Sequence, residues 1–306
     1  MAIFILAAWL GGFGLSVNES RLDVVLVQVQ AQVQQADSVK EITRESTFEN
    51  LEGFSALVLK QVENLFGSQH LPSGMGTPVE PGVYVTLSTD KLAIFDHELP
   101  LLKEGKLADP TIAEDCLSEC PLAFYSAFRR VWLGLNEEAH AIGVDSPSRI
   151  LWGIEAKLPA RTFLAAVYAS SESWLGGSVP RLYLLLNGGP AGLRARVFSL
   201  LPPQGLVVQT GAQVLGLRVR VEGEQRYVIS AVDPKFQRTL QIEGDANLQA
   251  ALTDINKHYP GKSSLILEAG EHAKVEDLGR VMNQASEWFP RIVLSQGQVI
   301  RIGRAQ

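Results

Sequence analysis

The sequence predicts an α/β (α+β) protein in which an N-terminal membrane helix precedes two tandem small mixed-sheet domains, each with two helices on one face. Three observations carry this expectation. Residues 1–17 hold no charge, strand-like and helix-like periods alternate through residues 83–297, and two stretches of that region share one residue skeleton. The expected segments are a membrane anchor at 1–17, a helical and linker region at 18–82, a first domain at 83–190, a linker at 191–216 and a second domain at 217–306.

Composition sets the outer limits. Of 306 residues, 46% are hydrophobic and 20% charged, so the chain can build a core and is not wholly disordered. The net charge of −6 argues against a general nucleic-acid coat, which needs the opposite sign. The charge is uneven: residues 37–120 are acidic and residues 181–240 basic. The basic middle reads either as a solvated face or as a surface that meets an anionic glycan or phosphate.

Met1–Val17 (MAIFILAAWLGGFGLSV) is apolar throughout. A hydrocarbon core of about 30 Å calls for about 20 apolar residues, with a usual lower limit of about 17. A secretory signal would begin with Lys or Arg, which this stretch lacks. Membrane anchor is the reading taken; a cleaved signal and a buried core helix are the alternatives. Leu22–Gln35 alternates apolar residues with Gln, a strand-like period. Ser46–Phe66 reads as an amphipathic helix capped by Ser46, with Glu49 three residues on. The Gly- and Pro-rich stretch 67–82 marks a domain boundary.

Two segments then resemble each other. Ser171–Gly188 (SESWLGGSVPRLYLLLNG) and Ala285–Gly297 (ASEWFPRIVLSQG) share Ser/Glu, a Trp, a Pro-Arg pair and a short apolar strand closing on Gly. Upstream of each lies a strand (Arg149–Ile154, Ser264–Glu268) followed by a helix (Ala160–Trp174, and Val275 onward with an apolar stripe through Phe289). Earlier still come another helix (Leu122–Ala141, Ala246–His258) and a two-stranded pattern (Val83–Leu99, Leu217–Val232). Thr89-Asp90-Lys91 and Glu222-Gly223-Glu224 supply the hairpin turns. The unit is hairpin, helix, strand, helix, strand, twice, with an insert holding both cysteines in the first copy.

This unit resembles the extracytoplasmic domain of the ExbD/TolR family of biopolymer-transport proteins. The residues that carry the resemblance are the hairpin turns Thr89-Asp90-Lys91 and Asp96-His97-Glu98, and the strand-to-helix turn Ile154-Glu155-Ala156-Lys157-Leu158-Pro159. Glu268-Ala269-Gly270-Glu271-His272-Ala273-Lys274 is a looser second copy, without the proline. The resemblance implies an inner-membrane, single-pass protein with most of the chain in the periplasm. It further implies an accessory subunit of an ion-driven complex, with a multi-span ExbB/TolQ-like partner and pairing with itself; the alternative is a non-motor envelope module that holds peptidoglycan or another envelope protein. The family usually has one such domain, and its membrane helix carries an Asp thought to take part in proton flow. Met1–Val17 has no acid; Asp23, in Arg21-Leu22-Asp23-Val24-Val25-Leu26, is the residue to weigh as a proton relay against an ordinary exposed acid.

Few other residues invite chemistry. The five histidines are scattered, and no GxxxxGK[ST], GxGxxG after a strand or GxSxG occurs, so no enzyme, cofactor or resident metal is expected. Cys116 and Cys120 lie four apart, one helical turn or one tight loop, and are expected to form a disulfide outside the cytoplasm. A free buried pair and a half metal site completed by another chain are the alternatives. Trp174 and Trp288 read as core packing or as glycan stacking. Arg181 and Arg291, which open the last strand of each copy, read as edge residues or as glycan or partner contacts. His272 is expected to be an exposed loop residue.

Overall fold

The computed structural model describes residues 59–303, apart from 61, 65–66, 96, 143–147, 176–178, 210–214, 234 and 237. The expected anchor Met1–Val17, Asp23, Leu22–Gln35 and most of Ser46–Phe66 lie outside the described residues. Among the described residues no helix is long and apolar enough to cross a membrane.

The chain forms a mixed α/β fold. Strands β1 (Thr77–Pro78), β2 (Val83–Leu87), β3 (Leu92–Ile94) and β4 (His97–Leu99) come first. The small strands β5 (Leu102–Lys103) and β6 (Lys106–Leu107) follow, then helix α1 (Leu122–Ile142) and β7 (Arg149–Ile154). Helix α2 (Ala160–Glu172), β8 (Arg181–Asn187), β9 (Leu193–Leu200) and β10 (Leu206–Gln209) lead into the second half. That half contains β11 (Leu217–Gly223), β12 (Arg226–Ala231), β13 (Leu240–Glu243), α3 (Asp245–His258), β14 (Ser264–Ala269), α4 (Val275–Ala285), β15 (Arg291–Ser295) and β16 (Ile300–Gly303).

Twelve strands join in one sheet, ordered β13-β12-β11-β14-β15-β9-β8-β7-β2-β3-β4, with β1 on β9. Its two ends are wired alike. In one, β2 pairs antiparallel with β3 and β3 with β4, while β2, β7 and β8 run parallel. In the other, β11 pairs antiparallel with β12 and β12 with β13, while β11, β14 and β15 run parallel. Two expected small sheets are thus one large sheet, because the stretch 191–216, expected as a linker, supplies β9. Its alternating sequence LRARVFSL lays residues 193–198 along β8, and Ser199 and Leu200 reach Val293 and Leu294 of β15. The second hairpin also turns slightly later than expected, at Glu224-Gln225, both with positive φ. Gly223 precedes it at φ 92 in a register shift, where a Cβ would stand 2.7 Å from the His272 carbonyl oxygen.

Helix starts follow local chemistry. Proline precedes both first-half helices, at Pro121 and Pro159, where a missing N–H costs nothing. At α4 the Asp277 carboxylate accepts the Lys274 N–H at 2.9 Å, the N3-to-cap half of a capping box. Helix α1 packs on α2, α2 on α4, and α4 on α3.

The first half buries an aromatic chain. Trp132 packs edge-on against Trp174, Phe128 stacks on Trp132 and tilts against Trp152, and Phe163 links Trp152 to Phe198 of β9. The second half uses aliphatic side chains: Leu248, Leu252 and Ile255 of α3, and Val275, Leu278, Val281 and Met282 of α4, all buried. Each such side chain contributes roughly 1.5–3 kcal/mol on burial. The halves differ in what covers the sheet. Every residue of β2 is buried, whereas β11 alternates buried with more exposed positions. The stretch around Val62, Leu71 and Val79 accounts for the difference: all three are buried, and Val62 lies against Gly153 of β7.

The halves are tied by Tyr168 of α2. Its hydroxyl donates to the Leu201 carbonyl at 2.8 Å and lies 3.2 Å from both the Leu294 carbonyl and Gln298 Oε1. Substitution Tyr168→Phe removes these bonds while keeping the ring. It is expected to destabilise the fold by about 1–3 kcal/mol, the range for a buried partner left unmade, measured as a lower urea midpoint with an unchanged slope.

Candidate functional site

Three features concentrate polar chemistry: the paired strand-to-helix turns, an arginine-lined groove, and the cysteine loop.

The turns 154–160 and 269–275 meet each other. Ala160 N–H donates to the Ala273 carbonyl at 2.8 Å, and Val275 N–H donates to the Leu158 carbonyl at 3.0 Å. Pro159 and Lys274 bridge antiparallel between them. Arg149 and Ser264, Ala160 and Val275, and Pro159 and Lys274 all share one sequence offset, so the two bonds are equivalents of one another. The contact is therefore isologous, the kind a two-fold dimer makes, closed within one chain. Each turn is also held to its own hairpin: Glu155 N–H donates to Leu87 O at 2.9 Å, and Gly270 N–H to Val221 O at 2.7 Å.

A carboxylate stands at each turn, one from the turn itself and the other from β11. Glu155 is only 4% exposed, accepts the Thr89 N–H at 2.8 Å and pairs with Lys157 Nζ at 2.9 Å. Burial pushes its pKa up, but the Lys157 and Thr89 hydrogen bonds together outweigh it and hold the carboxyl below its ordinary range. The equivalent Gly270 has no side chain, and Glu222 of the hairpin reaches that place instead; a Cβ on Gly270 would collide with its carboxylate.

The groove, of about 670 Å³, lies between the chain at 75–80, strands β7, β8 and β9, and the α4–β15 junction at Ser286 and Pro290. Arg149, Arg181, Tyr183 and Arg196 line it. Arg149 Nη2 pairs with Glu80 at 2.7 Å, and its Nε is buried without a partner among the described residues. Arg196 donates through Nε and Nη2 to the Met75 carbonyl, a neutral acceptor, and burial lowers its pKa from the ordinary value. Arg181 is exposed. Three guanidiniums thus share a groove with one carboxylate. The other expected contact residue, Arg291, is exposed on β15 and does not line the groove. Asp23 lies outside the described residues.

Cys116 and Cys120 sit at disulfide distance, with Cα atoms 5.7 Å apart. Glu172, at the end of α2, clamps their loop: its carboxylate accepts the Leu117 N–H at 2.6 Å and the Ser118 N–H at 3.0 Å. Both sulfurs and a Glu172 oxygen lie within 4.8 Å of one another, but sulfurs joined to each other offer no thiolate to a metal. Trp174 packs on Trp132, Trp288 is half-buried beside the buried Phe289, and His272 is exposed.

Sequence reading did not find Arg149, Tyr183, Arg196, Glu155 or Glu172. Period-two spacing within RLY, which puts Arg181 and Tyr183 on one face of β8, was the available signal for the groove. Glu155 and Glu172 act through backbone N–H groups from distant segments, and no local pattern marks such contacts.

Two outcomes follow. Because the folded pKa of Glu155 lies below the unfolded value of about 4.3, its stabilisation is present above that pH and is lost as pH falls through the folded pKa. Glu155→Gln should be less stable than the native chain at about pH 6–7, with the gap narrowing below about pH 4, read from urea midpoints across pH. For the cysteines, protein purified without reductant should resist alkylation until it is reduced; ready alkylation would remove the disulfide.

Comparison with known protein families, with characterised proteins and with solved structures finds no match to this chain.

Proposed function

We propose that the chain is a membrane-anchored, periplasmic accessory subunit of an ion-driven energy-transducing complex of the ExbB/ExbD or TolQ/TolR type. In this reading the two halves are tandem copies of the family's periplasmic domain, and no step of chemistry is catalysed. The observation that supports it most is the reciprocal bonding of the turns at Pro159 and Lys274. A family whose subunits pair through this domain would, in a tandem chain, find its partner surface in the same polypeptide. The order of hairpin, helix, strand, helix, strand in both halves supports it too. A cysteine pair at disulfide distance agrees with an oxidising compartment, and Met1–Val17 would be the anchor, with a multi-span ExbB/TolQ-like protein as neighbour.

A second reading is a non-motor envelope module that holds peptidoglycan or another envelope protein. The absence of any acid in Met1–Val17 favours it, because ion coupling through the membrane needs a group that can take up charge there. Purification of the full chain from native membranes in mild detergent separates the two. A multi-span membrane protein co-eluting in fixed ratio is the expected result. A chain that leaves the membrane fraction only with cell-wall material or a soluble envelope protein overturns the motor reading.

A further inference from the structure

We propose that the groove lined by Arg149, Arg181, Tyr183 and Arg196 binds an oxyanion group, phosphate or carboxylate, carried on a small molecule with an apolar body. The placement of charge is the first argument. Arg149 and Arg181 are register partners on the parallel strands β7 and β8, directly opposite one another. Like charges so placed destabilise a sheet, and one carboxylate, Glu80 on Arg149, leaves the pair with a net charge of one, on Arg181. An oxyanion seated between the two guanidiniums would offset it, and the planar fork of arginine suits both phosphate and carboxylate.

Donor inventory is the second argument. The Arg181 side chain has no hydrogen bond or ion pair among the described residues, so its full set of N–H donors is available. Arg149 keeps a buried Nε without a partner, and Arg196 spends two donors on the Met75 carbonyl, which leaves its charge uncompensated. Buried donors without acceptors are uncommon in native proteins. Leu151 and Val197 supply apolar wall beside Tyr183, and a volume of about 670 Å³ accommodates a small molecule.

The repeat supplies the third. The second half keeps an arginine, Arg291, at the start of β15, but Ser264 stands opposite it where β7 has Arg149, and Val293 stands where β8 has Tyr183. The same strand geometry is built there without the cluster, so the fold does not require three arginines in the first half.

The site needs no membrane partner, so its test and the copurification fail separately. The full-length chain in detergent is titrated calorimetrically at low salt with inorganic phosphate, phenyl phosphate and benzoate. Binding of one equivalent is expected for at least one probe, the ring-bearing form being tighter than inorganic phosphate if phosphate is the group taken; phenyl phosphate against benzoate distinguishes the phosphate source from the carboxylate source. Arg181→Gln should weaken binding by about tenfold or more, the scale of one charge-assisted hydrogen bond. Arg181→Lys should recover only part of it, since the ammonium lacks the fork. Arg291→Gln should bind as the native chain does. The proposal is overturned if no probe binds, or if Arg291→Gln weakens binding as much as Arg181→Gln does.

Discussion

The contact between the turns at Pro159 and Lys274 constrains nearly everything else in the fold. Backbone bonds between equivalent residues on equivalent turns can form only if the two halves face each other with matched geometry. Because α2 and α4 both start there, the contact sets where these helices begin and how they approach one another. Only two residue pairs join β9 to β15, so the ladder alone would be a weak tie. The turn contact, the Tyr168 hydroxyl and the packing of α2 on α4 share that task. Covalent connection of the halves lowers the entropic cost of a contact that separate chains would meet only by association.

The halves have nevertheless diverged where the common geometry leaves them free. Among the described residues the first half is covered on both faces of its sheet, has an aromatic core and carries the disulfide-distance cysteine loop; β11 of the second alternates buried with more exposed positions, and its core is aliphatic. A carboxylate stands near the hairpin at each turn, Glu155 in one half and Glu222 in the other. The groove belongs to the half whose open face is overlain by the chain at 75–80, since a strap over a sheet creates a concavity that a bare sheet lacks.

Much of the fold was legible in the sequence. Arg149–Ile154 forms the strand expected, and three helices begin and end within two residues of the expected positions, because each shows a clean apolar period; the last starts at Val275 as expected but stops at Ala285, four residues before the end of its apolar stripe at Phe289. The merging of two small sheets into one was not legible. Residues 193–200 alternate Arg with apolar residues, and Pro202 and Pro203 follow, so the stretch resembles a polar connection until β8 is there to receive it. The closeness of Cys116 and Cys120 was legible from spacing, while the clamp of their loop by Glu172 depends on a helix end more than fifty residues away. Of the groove, only Arg181 stood out, because it sits in the repeated Pro-Arg motif; Arg149 joins it as its register partner on β7, while Arg196, paired with Leu184, belongs to the other face of β9 and borders the groove beside Met75.

Among the described residues the sheet also has two outer margins, β4 at one and β13 at the other. Both are short, at three and four residues, and both carry Glu on the margin, Glu98 and Glu243. Brief, charged margins make poor templates for edge-to-edge pairing. With the two-fold surface consumed inside the chain, the usual seed for stacking further copies is spent as well. Growth of this sheet by addition of further strands is thereby opposed at both of its margins.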